Sequence, residues 1–195
     1  MSAAFDMSDD TAWMQVFGGK KFFFLAPSAF DIRITDIAHS LAMRCRFNGH
    51  VKHFYSVAEH SVHVSHQVPA QYAMAALLHD AAEAYIGDMV SPLKNEMPQF
   101  RTIEHRIDAA VRRRFNVAIY DEKQDAAIKR ADLALCLHEG RTLLPNPALV
   151  DEWGFAGNPE YRLKQPCRLY CHSPEVAEVV FLQRFDELGR DANKD

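Results

Sequence analysis

From Ile34 onward the apolar residues recur at helical spacing, and that period leaves little room for strands. Ile34, Ile37, Ala38 and Leu41 share one face of a helix expected to run to about Arg44. Ser56 and Glu59 form an S-x-x-E capping box, so a second helix is expected from Val57, with Val57, His60 and Val64 on its inner face. A third is expected over residues 69–86, stopped by Gly87. Phe100, Ile103, Ile107, Ala110 and Val111 mark a fourth that ends near Phe115, and Ile128, Asp132, Leu135 and Cys136 share a face of a fifth. Ser173 and Pro174 suit the N-cap and first position of a last helix through Val176, Val180 and Phe185. A short hairpin around Gly18 and Gly19 in "QVFGGKKFFFLAP" is the one strand signal. The expected fold class is all-α. A single domain is expected over residues 1–195, with 1–30 an irregular N-terminal arm and 144–172 an irregular excursion, and "RFNGH" (46–50) is expected as a loop.

Composition narrows the functional classes. A soluble chain of 195 residues with 48% hydrophobic and 25% charged residues can bury a core without disulfide or metal staples. The net charge of −4 argues against a broad nucleic-acid surface but leaves room for a local anion pocket. No apolar run approaches the roughly 20 residues of a membrane span, and the acidic start "MSAAFDMSDDT" lacks an export h-region. The four cysteines include no C-x-x-C pair and are expected as free thiols. The expected setting is the cytoplasm, with neither membrane nor nucleic acid as partner.

Against the helical pattern stand a few ionisable residues. In "ALLHDAAEAYIGD" (76–88), an apolar helix carries His79, Asp80, Glu83 and Asp88 near its end. His60 and Asp132 likewise occupy apolar faces of their helices. Burying a charge is expensive unless it is paired or metal-bound. Two imidazoles and two carboxylates form a mixed N/O set that suits Zn, Mn, Co or Fe(II) better than Ca. A lone half-buried His is more often a hydrogen-bonded core residue than a ligand. The order H…HD…D, each member breaking its own apolar face, is much more specific than any one of them.

These motifs resemble the HD-domain phosphohydrolases. "SVAEHSV" (56–62), "LLHDAAEAYIGD" (77–88) and "KRADLAL" (129–135) read like the three parts of that signature. The closer likeness, over roughly residues 30–140, is to bacterial 5′-deoxynucleotidases and phage dATP triphosphohydrolases. There the HD pair is followed by a glutamate and then Gly-Asp-x-x-x-Pro-x-Lys, matched here by Glu83, Gly87, Asp88, Pro92 and Lys94. The resemblance implies an HD-domain bundle binding one divalent ion (Co, Mn or Zn, with Mg or Fe as alternatives) through His60, His79, Asp80 and Asp132. It implies that Glu83 positions or deprotonates the attacking water, and that Asp88 bonds the sugar or fixes the loop. It implies that Arg46 and Lys94 contact phosphate. Phe47 stands where the deoxynucleotidases carry a Trp that packs on C2′ of the sugar.

The activity so implied is hydrolysis of a phosphoester or phosphoanhydride bond of a deoxynucleotide by metal-activated water. dATP or dAMP are favoured, and a homo-oligomer, dimer or higher, is expected. The stretch 36–61 looks more like the triphosphohydrolases. An inactive nucleotide-binding regulatory module is the alternative, and the complete ligand set with Glu83 speaks against it. Dinuclear HD enzymes need more histidines after the HD pair, whereas only His105 lies between Asp80 and Asp132. Elsewhere, "FFFL" (22–25) is expected in the core rather than as a base-stacking wall. His50, His53, His63 and His66 make no further metal site by spacing alone. "RRR" (112–114) is expected as a solvated helix end, and Trp13 and Trp153 carry no signal.

Overall fold

The computed structural model describes residues 12–119 and 121–191; part of the expected N-terminal arm lies outside them. The architecture is an all-α bundle with a small hairpin at its N-terminal side. The hairpin pairs β1 (Trp13–Gln15) with β2 (Lys21–Phe23) antiparallel, Met14 opposite Phe22. Gly19 turns it at φ +76, a conformation open to glycine without a Cβ penalty. Helices follow as α1 (Ile34–Met43), α2 (Val57–Gln67), α3 (Ala73–Leu77), α4 (Glu83–Ile86), α5 (Ser91–Asn95), α6 (Pro98–Arg114), α7 (Glu122–Leu143) and α8 (Pro174–Asp191).

The core forms largely where the expected apolar faces meet, except on α8, where Ala177 and Phe181 are buried and Val176 is exposed. Ile37, Leu41, Val57, Leu77, Ile107 and Phe181 are fully buried in one cluster. Each such side chain contributes roughly 1.5–3 kcal/mol relative to an exposed position. Helix α2 is the hub, packed on α1, α3, α7 and α8, so a residue on almost any of its faces is buried. Phe22 is buried and stacks on Tyr85 at 3.9 Å between ring centroids, and Phe24 packs at the core's edge, so part of "FFFL" takes the expected core role.

Three local expectations need correction. The helix expected over 69–86 is broken: a 3-10 turn at Ala70–Tyr72 precedes α3, and residues 78–82 separate α3 from α4. There Ala81, Glu83, Ala84 and Tyr85 donate to the carbonyls three residues back. His79 and Asp80 therefore stand on a tightened, irregular stretch rather than on a regular α-helix. Gly87 still ends the segment, at φ +93.

The capping box is half formed. Ser56 Oγ accepts the Glu59 N–H at 3.0 Å, but the Glu59 carboxylate instead accepts the N–H groups of Tyr170, Cys171 and His172. Two turns on, the Gln67 amide grips the backbone of Lys164 and Gln165. α2 therefore ties down the 144–172 excursion, which holds a 3-10 segment, Pro147–Glu152, and no α-helix or strand. The arginines of 112–114 are not simply solvated: Arg112 bonds Asp108 and Asp125, and Arg114 donates to the Ile32 carbonyl. The four cysteines are free thiols, and no helix among the described residues is long and apolar enough to cross a membrane.

Candidate active site

His60, His79 and Asp132 arrive from α2, the segment after α3, and α7, and offer donor atoms all within 4.8 Å of one another. Asp80 joins them, its Oδ2 3.2 Å from His79 Nε2 and 3.7 Å from His60 Nε2. Both imidazoles are oriented from behind. His79 Nδ1 donates to the Ala76 carbonyl at 2.8 Å, so its Nε2 faces the cluster as a lone pair. His60 Nδ1 lies 2.7 Å from Glu139 Oε1. Both Nε2 atoms are buried and lack a hydrogen-bond partner among the described residues.

Two orphaned buried nitrogens side by side are costly in a protein interior, and a divalent cation would satisfy both. The carboxylates suit that cation. Asp80 Oδ2 and Asp132 Oδ1 stand 3.7 and 3.4 Å from His60 Nε2, so with the two imidazoles they would make a mixed N/O donor set. A candidate His/His/Asp metal site is therefore present, with the Asp80 carboxylate at its edge.

Glu139 is the buried residue behind the candidate site that the sequence reading missed. Fully buried on α7, it accepts from the Tyr55 hydroxyl at 2.9 Å and from Arg46 Nε at 3.0 Å, besides contacting His60. Burial would raise its pKa, but Arg46 and His60 pull it down to about 2. Its signal was available: it continues the stripe of Ile128, Asp132 and Leu135 by one helical turn.

Arg46 is buried too, with Nη1 3.9 Å from Asp80 Oδ2, so its outer nitrogens lie beside the metal cluster. Phe47 follows at φ +53, with Asn48 at +51 and Gly49 at +78. The left-handed conformation costs a non-glycine residue roughly 1–2 kcal/mol. The Phe47 ring sits 5.4 Å from the Arg46 guanidinium carbon. Trp153 also lies against this ring, at 6.3 Å between centroids, although the sequence offered no reason to bring Trp153 here.

Glu83 opens α4, is nearly buried, and has one carboxylate oxygen without a hydrogen-bond partner among the described residues. Burial, then Asp80 and Asp88, push its pKa well above the ordinary value. Asp88 follows the Gly87 cap, its pKa raised by burial. Lys94 approaches Glu83 to 3.7 Å but bonds Glu104 on α6 at 2.6 Å, so it reaches the site tethered.

Residues 49–130 match the family described as 5′-deoxynucleotidase YfbR-like, a span that contains His60, His79, Asp80, Glu83, Asp88 and Lys94. The uncharacterized protein YfdR of Escherichia coli (strain K12) is 41% identical over 182 residues, covering 91% of this chain and 96% of that relative. An uncharacterized protein of Rhodobacter capsulatus is 38% identical over 132 residues, 62% of this chain and 67% of its own. With a relative of this similarity matched along almost its whole length, the chain belongs to the YfbR-like 5′-deoxynucleotidase family of the HD-domain superfamily.

Proposed function

We propose that this protein is a metal-dependent phosphohydrolase of deoxynucleotides, with dAMP and dATP the leading substrates. The observation that carries the reading is the pair of buried, unpartnered Nε2 atoms of His60 and His79 facing Asp80 and Asp132, with Arg46 at the edge. His60, His79, Asp80 and Asp132 would hold one divalent ion, Co, Mn or Zn in first place. Such an ion, when bound, lowers the pKa of water and neutralises phosphoryl oxygen charge.

The chain supplies the rest. Arg46 uses its Nε on Glu139 and keeps its outer nitrogens for phosphoryl oxygens, a planar fork suited to that contact. Lys94, tethered by Glu104, adds a second positive charge beside Glu83. Glu83 takes the proton from the attacking water, its free oxygen facing no fixed partner. Asp88 bonds the sugar or fixes the loop behind it, and the Phe47 ring lies against C2′. An apolar ring there tolerates hydrogen, while a 2′-hydroxyl would be desolvated without a partner at about 1–3 kcal/mol.

A panel of deoxy- and ribonucleotide mono- and triphosphates, assayed with Co, Mn, Zn and Mg, tests this reading. Separation of phosphate, pyrophosphate and triphosphate products identifies the bond cut. Metal-dependent release from the deoxy forms is expected. Nucleotide binding without release under any metal would make the protein a regulatory module instead.

A further inference from the structure

We infer that Trp153, carried by the 144–172 excursion, is the positioning residue that holds Phe47 against the sugar. The inference rests on the deoxynucleotide reading above. It starts from a closed circuit of contacts. Glu139 holds Arg46, and Phe47 follows Arg46 in the chain and lies against its guanidinium. Phe47 meets Trp153, and Trp153 packs on Gly140, the next residue after Glu139.

Gly140 is what lets the circuit close. A Cβ built there would stand 2.9 Å from Trp153 Cη2 and 3.2 Å from Val150 Cγ2, too close for both to stay. A glycine inside a 22-residue helix weakens that helix, so its presence is explained by the indole seated on it. Behind Trp153, Phe155 and then Tyr161 continue the aromatic row at 5.8 and 6.2 Å between centroids. Val150, fully buried, anchors the 3-10 segment whose C-cap is Trp153.

Phe47 needs such a neighbour. Its left-handed backbone is unfavourable for a bulky residue, and the two residues after it are left-handed as well. Its ring lies against both the Arg46 guanidinium and the Trp153 indole. Without Trp153 the ring gains freedom to leave C2′, and a ribose hydroxyl can then be accommodated or hydrated.

The test is kcat/KM for dAMP, AMP, dATP and ATP in metal-loaded wild type, Phe47→Ala, Trp153→Ala, Trp153→Phe, Gly140→Ala and the Phe47→Ala/Trp153→Ala double variant. Wild type should prefer the deoxy forms by about 5-fold or more, the lower end of what an unpaired hydroxyl costs. Trp153→Ala and Gly140→Ala should narrow that ratio, mainly by admitting the ribose forms, and Trp153→Phe should restore part of it. The double variant should match Phe47→Ala, because both residues act through one ring. Damage to packing alone would lower both sugars by one factor and leave the ratio intact. A wild-type ratio that survives in Trp153→Ala, or in Gly140→Ala should Trp153→Ala not fold, overturns the inference and leaves the deoxynucleotide reading standing. A wild type indifferent to the 2′-hydroxyl removes that reading, and this inference with it.

Discussion

The two histidines of the candidate metal centre are held in opposite ways. His60 stands on a regular helix, fully buried, with its Nδ1 against a buried carboxylate that also binds Tyr55 and Arg46. His79 stands where a helix breaks, at the partly exposed rim, and its Nδ1 is satisfied by the Ala76 carbonyl three residues earlier. One half of the centre is set by a long-range side-chain network. The other is set by local backbone that no side-chain substitution can remove. Perturbation of the His60 half should therefore spread to the phosphate-binding candidate Arg46, while perturbation of the His79 half should stay with the candidate metal site and the proton-transfer candidate Glu83.

The largest effect is expected on the His79 side. Asp80→Ala removes a carboxylate within 4 Å of both Nε2 atoms. Turnover and metal retention should disappear together. Elemental analysis showing wild-type metal content in the purified variant would remove Asp80 from the ligand set.

Next comes Glu83→Ala, on the same side. Metal content and nucleotide affinity should persist while kcat falls by at least ~10², the usual scale of acid–base catalysis. Loss of metal would recast Glu83 as a ligand or its support, and an unimpaired kcat would end the assignment.

Glu139→Gln tests the His60 side. An amide can accept from Tyr55 or Arg46 but no longer supplies a charge to His60 and Arg46 at once. Metal affinity should drop about 10- to 100-fold, the usual range for a group that orients a ligand. KM should rise as well, because Arg46 loses its anchor. Competition with a chromogenic chelator measures the first and steady-state kinetics the second. A metal defect with unchanged KM would show that the network does not couple the two functions.

The smallest effect is expected from Tyr55→Phe, which deletes one hydroxyl from the same carboxylate. About 1 kcal/mol of stability should be lost, read as a fall in Tm of roughly 2–4 °C. His79 has no counterpart to this experiment, since its support is backbone.

Much of this was legible in the chain, for a physical reason. A helix repeats every 3.6 residues, so a polar residue on an apolar face announces itself locally, as His60 and Asp132 did. Gly87 and the Ser56 cap were readable because they act within one turn. What escaped depended on partners far away in sequence. Glu139 lies on the Asp132 stripe, yet its importance comes from residues 79, 84 and 93 positions distant. Glu59 was readable as a cap residue, but three N–H groups of the 170–172 strap take its carboxylate. Trp153 meets Phe47 only because the excursion folds back over Gly140.

By itself, then, the sequence determined the all-α class, most of the longer helices with their inward faces, and which residues could serve as metal donors. Those properties follow from side-chain size, polarity and spacing within single elements. Only the tertiary structure decided where the helix breaks around His79 and Asp80, which carboxylate lies under His60, and which aromatic backs Phe47. Those are choices among many possible partners, and they are made when helices pack against one another and buried polar atoms must each find a partner.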